Sequence, residues 1–252
     1  MRICATSDLH GNLSGLDFTD CDIVVVAGDL APTTGFGYQD ILRQIDFVET
    51  DMSRMFGEYP DTDFVVIPGN HDLFADPRTT DKYCPMFEFR KLHLPKNVHF
   101  IVNKRKIVRG VKFFGLSWVP HINGRWAFED GYGGEYVSDA CSSIPDDTDV
   151  LITHSPPRFP THDDIDVSLD YDEPDRQHFG SMAIYDAISC HPNLKYVFCG
   201  HIHSGDHTVF KVPHFSNGVQ ISETAVANVA RMNEKYEPTY DPLRIFCDFE
   251  HK

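Results

Sequence analysis

Five short clusters in this 252-residue chain carry side chains suited to metal chemistry. They are Asp8-Leu9-His10, Gly28-Asp29, Gly69-Asn70-His71-Asp72, His154-Ser155-Pro156-Pro157 and Gly200-His201-Ile202-His203. Their carboxylate oxygens, amide oxygen and imidazole nitrogens suit divalent cations such as Mn²⁺, Fe²⁺, Zn²⁺ and Mg²⁺. The set contains no thiolate, which disfavours a structural zinc of the cysteine type. In Asp8/His10 and His201/His203, alternate residues of an extended segment leave the chain on the same side. Both members of each pair can then face one centre. A glycine just before a ligand position permits a tight turn and close backbone approach. Taken alone, each cluster also fits a turn, a cap or a surface pair; the weight lies in all five occurring together.

The elements that must position these clusters are short. Apolar runs at 2–6, 23–27, 64–67, 111–116, 150–153 and 196–199 read as strands. Being continuously apolar, they suggest sheets covered on both faces. Ile41, Ile45, Val48, Met52 and Met55 recur at helical spacing, so about 39–56 reads as an amphipathic helix. Residues 182–191 read the same way, with Pro192 as a stop. From Thr208 onward the chain looks strand-rich, closing with a strand over 243–249. The acidic stretch 161–177 reads as a surface loop. Strands alternating with helices indicate an α/β architecture. Each cluster begins within two residues of a strand end, the edge at which α/β sheets bind ligands.

In order and spacing the clusters resemble the calcineurin-like metallophosphoesterases, whose pattern runs Asp-x-His, Gly-Asp, Gly-Asn-His-(Asp/Glu), a lone His, then Gly-His-x-His. The resemblance spans Asp8 to His203. It implies an α/β four-layer sandwich, two packed β-sheets flanked by helices, formed by residues 1–252 as a single domain. It also implies a binuclear centre of two divalent metal ions. Asp8, His10, Asp29 and His203 would hold one metal, and Asp29, Asn70, His154 and His201 the other, with Asp29 as the bridge. His71 matches the family's catalytic histidine and would stabilise the phosphoryl group or protonate the leaving oxygen. Asp72 can orient a neighbouring group or serve as a cap. Gly28-Asp29 continues as Leu30-Ala31-Pro32, without the Asp-Arg-Gly of protein Ser/Thr phosphatases. The chain is most similar to the small single-domain phosphodiesterases, a likeness shared less specifically by Trp118-Val119-Pro120.

The reaction expected is direct hydrolysis of a small phosphodiester, such as a cyclic nucleotide. Two metals about 3.5–4 Å apart would clamp the attacking and leaving oxygens, with a metal-bound water as nucleophile. Alternatives are a phosphomonoesterase acting on nucleotides or phosphoproteins, a nuclease, and a non-catalytic metal-binding scaffold on the same fold. Asn123, Arg125, Trp126 and Arg158 are candidate substrate contacts: arginine can grip phosphate and tryptophan can stack on a base. Ordinary loop packing explains each of them somewhat better. Of the histidines outside the pattern, His121 and His207 are expected nearest the pocket.

Composition narrows the partners. With 22 basic and 38 acidic residues the net charge is −16. That opposes non-specific nucleic-acid binding, which needs clustered cations, but not a phosphate substrate, because bound cations reverse the local field. Apolar residues make up 41% and charged residues 24%, the balance of a chain with a packed core. No apolar run is long enough to span a bilayer, and residues 1–5 do not read as a signal peptide. Seven cysteines without a Cys-x-x-Cys pair suggest a reduced, cytoplasmic protein with buried thiols. The sequence sets no oligomeric state.

Overall fold

The computed structural model describes residues 1–85, 91–160, 168 and 178–249. Two β-sheets face one another. The first has the order β11-β1-β2-β3-β4, formed by β1 (Arg2–Thr6), β2 (Ile23–Ala27), β3 (Asp63–Ile67), β4 (Val98–Phe100) and β11 (Leu243–Phe246). β1 to β4 run parallel, and β11 returns antiparallel to β1. The second has the order β5-β6-β7-β8-β10-β9: β5 (Lys104–Val108), β6 (Val111–Leu116), β7 (Val150–Thr153), β8 (Tyr196–Cys199), β9 (Phe210–Ser216) and β10 (Val219–Asn228). Here β6, β7, β8 and β10 are parallel, with antiparallel strands at both edges.

Alternation along the strands divides the apolar residues among three cores. Val24, Val26, Phe64 and Val66 pack against Ile41, Ile45, Val48 and Met52 of the helices outside the first sheet. Their strand neighbours Ile23, Val25, Val65 and Ile67 meet Phe113, Val150, Ile152 and Phe198 between the sheets. Leu151 and Val197 pack outward against Val137, Ile184 and Ile188 of α4 (Glu135–Ser142) and α5 (Met182–Cys190). The result is the expected four-layer α/β sandwich. Buried on both faces, the central strands read as continuous apolar runs.

The helix expected over 39–56 is interrupted but does not end. α1 (Tyr38–Phe47) passes through a π-helical turn at Val48–Met52 into α2 (Ser53–Gly57). Inside that run the Ser53 hydroxyl donates to the Val48 carbonyl, five residues back. Other elements carry no apolar periodicity. β4 has three residues, β5 (Lys-Arg-Lys-Ile-Val) is an exposed edge, and α3 (Pro77–Tyr83) contains two threonines. The closing strand ends at Phe246, short of the expected 249. The acidic stretch 161–177 lies outside the described residues except for Ser168.

The cysteine expectation needs correction. Cys4 on β1 and Cys21 just before β2 form a disulfide with Cα atoms 6.0 Å apart. Nothing in their spacing signalled this, because parallel pairing of β1 with β2 brings them together. Cys84, Cys141, Cys199 and Cys247 are buried and Cys190 is exposed. No described helix is long and apolar enough to cross a membrane.

The sheets approach closely at Gly115, where a Cβ would lie 2.6 Å from Ile67 Cγ2 and 2.8 Å from Ile101 Cδ1. Gly115→Val should overpack this contact and lower stability by about 1–3 kcal/mol, measured as a fall in unfolding midpoint. An unchanged midpoint would show that the layers can part there.

Candidate metal centre and its pocket

The C-terminal ends of β1, β2, β3, β7 and β8 come to one edge of the sandwich, bringing all seven expected ligands together. They arrive by turns instead of by strand alternation. Asp8, His10, Asp29 and His201 have left-handed φ values of 55°, 42°, 51° and 72°, a conformation unfavourable for residues with a Cβ. The extended geometry assumed for Asp8/His10 and His201/His203 is therefore absent. Tight reversals aim both pairs inward. Close packing also requires glycine: a Cβ on Gly69 would overlap the Asp29 carboxylate, and one on Gly200 the Asp8 carboxylate.

Asp29 occupies the middle. Its Oδ1 is 3.3 Å from His154 Nε2, and its Oδ2 is 3.7 Å from His10 Nε2. On one side, His203 Nε2 lies 3.4 Å from Asp8 Oδ1 and 3.1 Å from His10 Nε2. On the other, His154 Nε2 lies 2.9 Å from Asn70 Oδ1, and the His201 ring packs on His154 at 5.2 Å. Candidate donor atoms of Asp8, His10 and His203 all fall within 4.8 Å of one another, as do those of Asp8, Asp29 and His154, and those of His10, Asp29 and His71.

These residues fit divalent cations. His154 Nδ1 sits 2.8 Å from the Ala27 carbonyl, and His203 Nδ1 3.1 Å from that of Asn233. Such contacts commit Nδ1 to the backbone and turn Nε2 inward, the usual support of a ligating histidine. The carboxylates are similarly held, since Asp8 accepts from the His201 N–H and Asp29 from the His71 N–H.

Charge is arranged in pairs. Burial alone would raise Asp8 and Asp29, but His203 and His154 hold both below the ordinary carboxylate range. Reciprocally, burial works against protonation of His154 and His203, yet Asp29 and Asp8 push them up to about 9. His10 and His201 have no such dominant partner, and burial takes them down to about 4 and about 3. Burial also lowers His71. Asp72 lies behind the centre and accepts from the N–H groups of Leu30, Ala31 and Gly69. Burial and the Asp29 charge push it up to about 7 against those donors.

A cavity of about 500 Å³ opens on the centre, lined by His10, His71, Thr33, Phe36, Trp126 and Tyr236 among others. Trp126 packs on the His71 ring at 4.2 Å, and Tyr236 meets the edge of His10 at 4.8 Å. Of the candidate substrate contacts, Trp126 is in the wall. Arg125 lies at the rim, its guanidinium 4.4 Å from the Phe36 ring. Asn123 is exposed, with its side chain on the Arg125 N–H, and Arg158 is exposed away from the cavity. His207 stacks on Tyr240 and His121 on Tyr132, both outside the lining. The sequence reading missed Tyr236, Phe36, Thr33 and Gln44. Gln44 is fully buried and donates to the His71 carbonyl, coupling α1 to the site. Its polar character at a core-facing helix position was the available signal. Tyr236 had none, because it arrives on a turn far from every cluster.

The sequence profile of the calcineurin-like phosphoesterases matches residues 1–205. The chain belongs to that family. It is 24% identical over 259 residues to metallophosphoesterase domain-containing protein 1 of Homo sapiens, a match covering 97% of this chain and 70% of that protein. A UPF0046 protein of Caenorhabditis elegans is 27% identical over 251 residues, covering 96% and 79%. Another from the same organism is 29% identical over 164 residues, covering 62% of this chain and 51%, about half, of its own length.

In this calcineurin-like phosphoesterase, Asp29→Asn should sharply lower the Mn²⁺ retained, measured by elemental analysis after dialysis. Unchanged Mn²⁺ content would show that Asp29 is not a ligand. Protons on His154 and His203 compete with a cation for the same nitrogens. Binding should therefore release protons and weaken as pH falls below about 9. Calorimetry in two buffers of different ionisation enthalpy measures the release.

Proposed function

We propose that this chain hydrolyses a phosphoester at a centre of two divalent cations, and that its substrate is a small phosphodiester. The observation that carries the reading is the position of Asp29, with one oxygen toward His154 and the other toward His10. A shared carboxylate between two donor sets suits a pair of cations, with Asp8, His10 and His203 completing one set and Asn70, His154 and His201 the other. Bound there, such ions supply Lewis acidity to the phosphoryl oxygens and lower the pKa of water toward neutrality.

The protein's own groups do the rest. Thr33 Oγ1 lies 3.2 Å from His71 Nδ1, and Trp126 covers the ring face, so the imidazole is held in one orientation beside the centre. Burial disfavours its protonated form, and a neutral imidazole can hydrogen-bond a phosphoryl or leaving oxygen without adding repulsion to nearby cations. Asp72 clamps the turns bearing Asp29 and Asn70 through Leu30, Ala31 and Gly69. Among the described residues lining the cavity there is no Lys or Arg. A monoanionic diester needs less cationic support than a dianionic monoester, which favours the diester. The aromatic walls suit a planar ester group, and a cyclic nucleotide combines both properties.

The test compares metal-restored turnover of bis(p-nitrophenyl) phosphate with that of p-nitrophenyl phosphate. Faster diester cleavage is expected. Cleavage of the monoester alone would replace the diesterase reading with a phosphomonoesterase, and no cleavage of either would favour a binding protein. His71→Ala should lower kcat by about 100-fold or more while bound metal is unchanged. Loss of metal with recovery of kcat at excess metal would make His71 a ligand or a support for one.

A further inference from the structure

Trp126 reaches the pocket on a loop whose organisation the sequence does not suggest. Residues 122–126 turn their backbone N–H groups to one carboxylate, that of Glu129. Its Oε1 accepts from Ile122, Asn123 and Gly124 at 2.6, 2.5 and 2.6 Å, and its Oε2 from Arg125 and Trp126 at 3.0 and 3.1 Å. Glu129 is buried. Burial opposes its ionisation, but these N–H groups hold it below the usual carboxylate range. Five converging N–H dipoles form an anion-binding concavity, and here the protein supplies the anion itself.

The loop is tied down on its other sides. Lys82 donates to the Gly124 carbonyl and the Tyr83 hydroxyl to that of Arg125. The Ala127 N–H donates to the carbonyl of Asn70, the residue before His71. Phe128 N–H goes to the Asp76 carboxylate, and Arg78 bridges Asp76 to the Glu129 carbonyl. The side chain delivered is Trp126, whose ring contacts both His71 and, at 4.8 Å, Phe36. Tyr236 stands on the opposite side, against His10.

We propose that Glu129 is a positioning residue that folds loop 122–126 onto the Asn70–His71 turn and sets Trp126 as the wall that receives the planar ester group of the substrate. The inference rests on the phosphoester-hydrolase reading for its substrate, but not for the loop itself. Glu129→Gln keeps size and burial while replacing one acceptor oxygen with an NH₂ donor. Whichever way the amide turns, two or three backbone N–H groups then face a donor, and a buried donor without an acceptor is costly. The loop should open and Trp126 should leave His71.

The experiment uses the whole chain with Trp118→Phe, so that Trp126 is the sole tryptophan and is excited selectively over the tyrosines. Glu129→Gln should raise acrylamide quenching of Trp126 and weaken phenylphosphonate binding by about tenfold, with metal content unchanged. With bis(p-nitrophenyl) phosphate, KM should rise more than kcat falls. Glu129→Gln combined with Trp126→Ala should be no worse than Trp126→Ala alone, because the two act through one side chain. Unaltered quenching and affinity in a folded Glu129→Gln protein, or additive losses in the double variant, would overturn the proposal. Should Glu129→Gln not fold, Gly124→Ala serves in its place. Gly124 has φ 74° and open space around a new Cβ, so alanine strains only the loop backbone. It must shift quenching and phenylphosphonate affinity in the same direction, and unchanged values overturn the proposal. Should the wild type hydrolyse neither ester, the hydrolase reading fails, and the quenching and phenylphosphonate measurements still decide the role of Glu129.

Discussion

Asp8 and Asp29 are both buried, with donor atoms close enough to share His154 within one cluster. Two carboxylates so near in a low-dielectric interior repel, and each is costly to desolvate. Positive charge between and around them is the condition on which the rest of the structure depends. Two imidazoles supply it when protonated, and divalent cations can take the same positions. The other candidate ligands, the left-handed backbone at four of the seven positions and the glycines that let the loops close in are all arranged around that requirement.

The same problem is solved differently at two other buried carboxylates. Asp72 and Glu129 are met chiefly by backbone N–H groups, three in one case and five in the other, with His121 Nδ1 also 3.2 Å from Glu129 Oε1. Backbone dipoles are neutral overall and cannot be exchanged for a metal ion. These acids therefore serve as fixed knots that hold loops, while Asp8 and Asp29 remain able to bind cations. Asp72 ties the Asp29 turn to the Asn70 turn from behind. Glu129 gathers the loop that covers His71 from the side. The chemistry of the edge is thus framed by anions of two kinds, distinguished by what neutralises them.

The sandwich makes this possible because its strands present C-terminal ends together. Candidate ligands from β1, β2 and β3 of one sheet meet those from β7 and β8 of the other only if the two sheets are packed in a set register. Gly115, Ile67 and Ile101 help determine how closely the sheets approach. Helix α1 contributes from outside through Gln44, whose amide braces the His71 carbonyl.

The sequence by itself determined the central strands, the main helices and the candidate donor residues that meet at one edge. Each of these is local: a run of apolar residues has a period, and a ligand has a side-chain type. It also placed the donors at strand ends, which suffices to predict that they converge. Tertiary structure alone decided how they converge, by left-handed turns instead of extended pairs, because φ depends on the contacts that enforce it. It alone joined Cys4 to Cys21 and brought Tyr236 to His10, since such partners are matched by sheet register and loop docking, and not by spacing. Glu129 shows the limit most clearly. Five of its partners are backbone N–H groups, which every residue but proline possesses, so nothing in the letters of the sequence distinguishes a loop that points them at one carboxylate from a loop that does not.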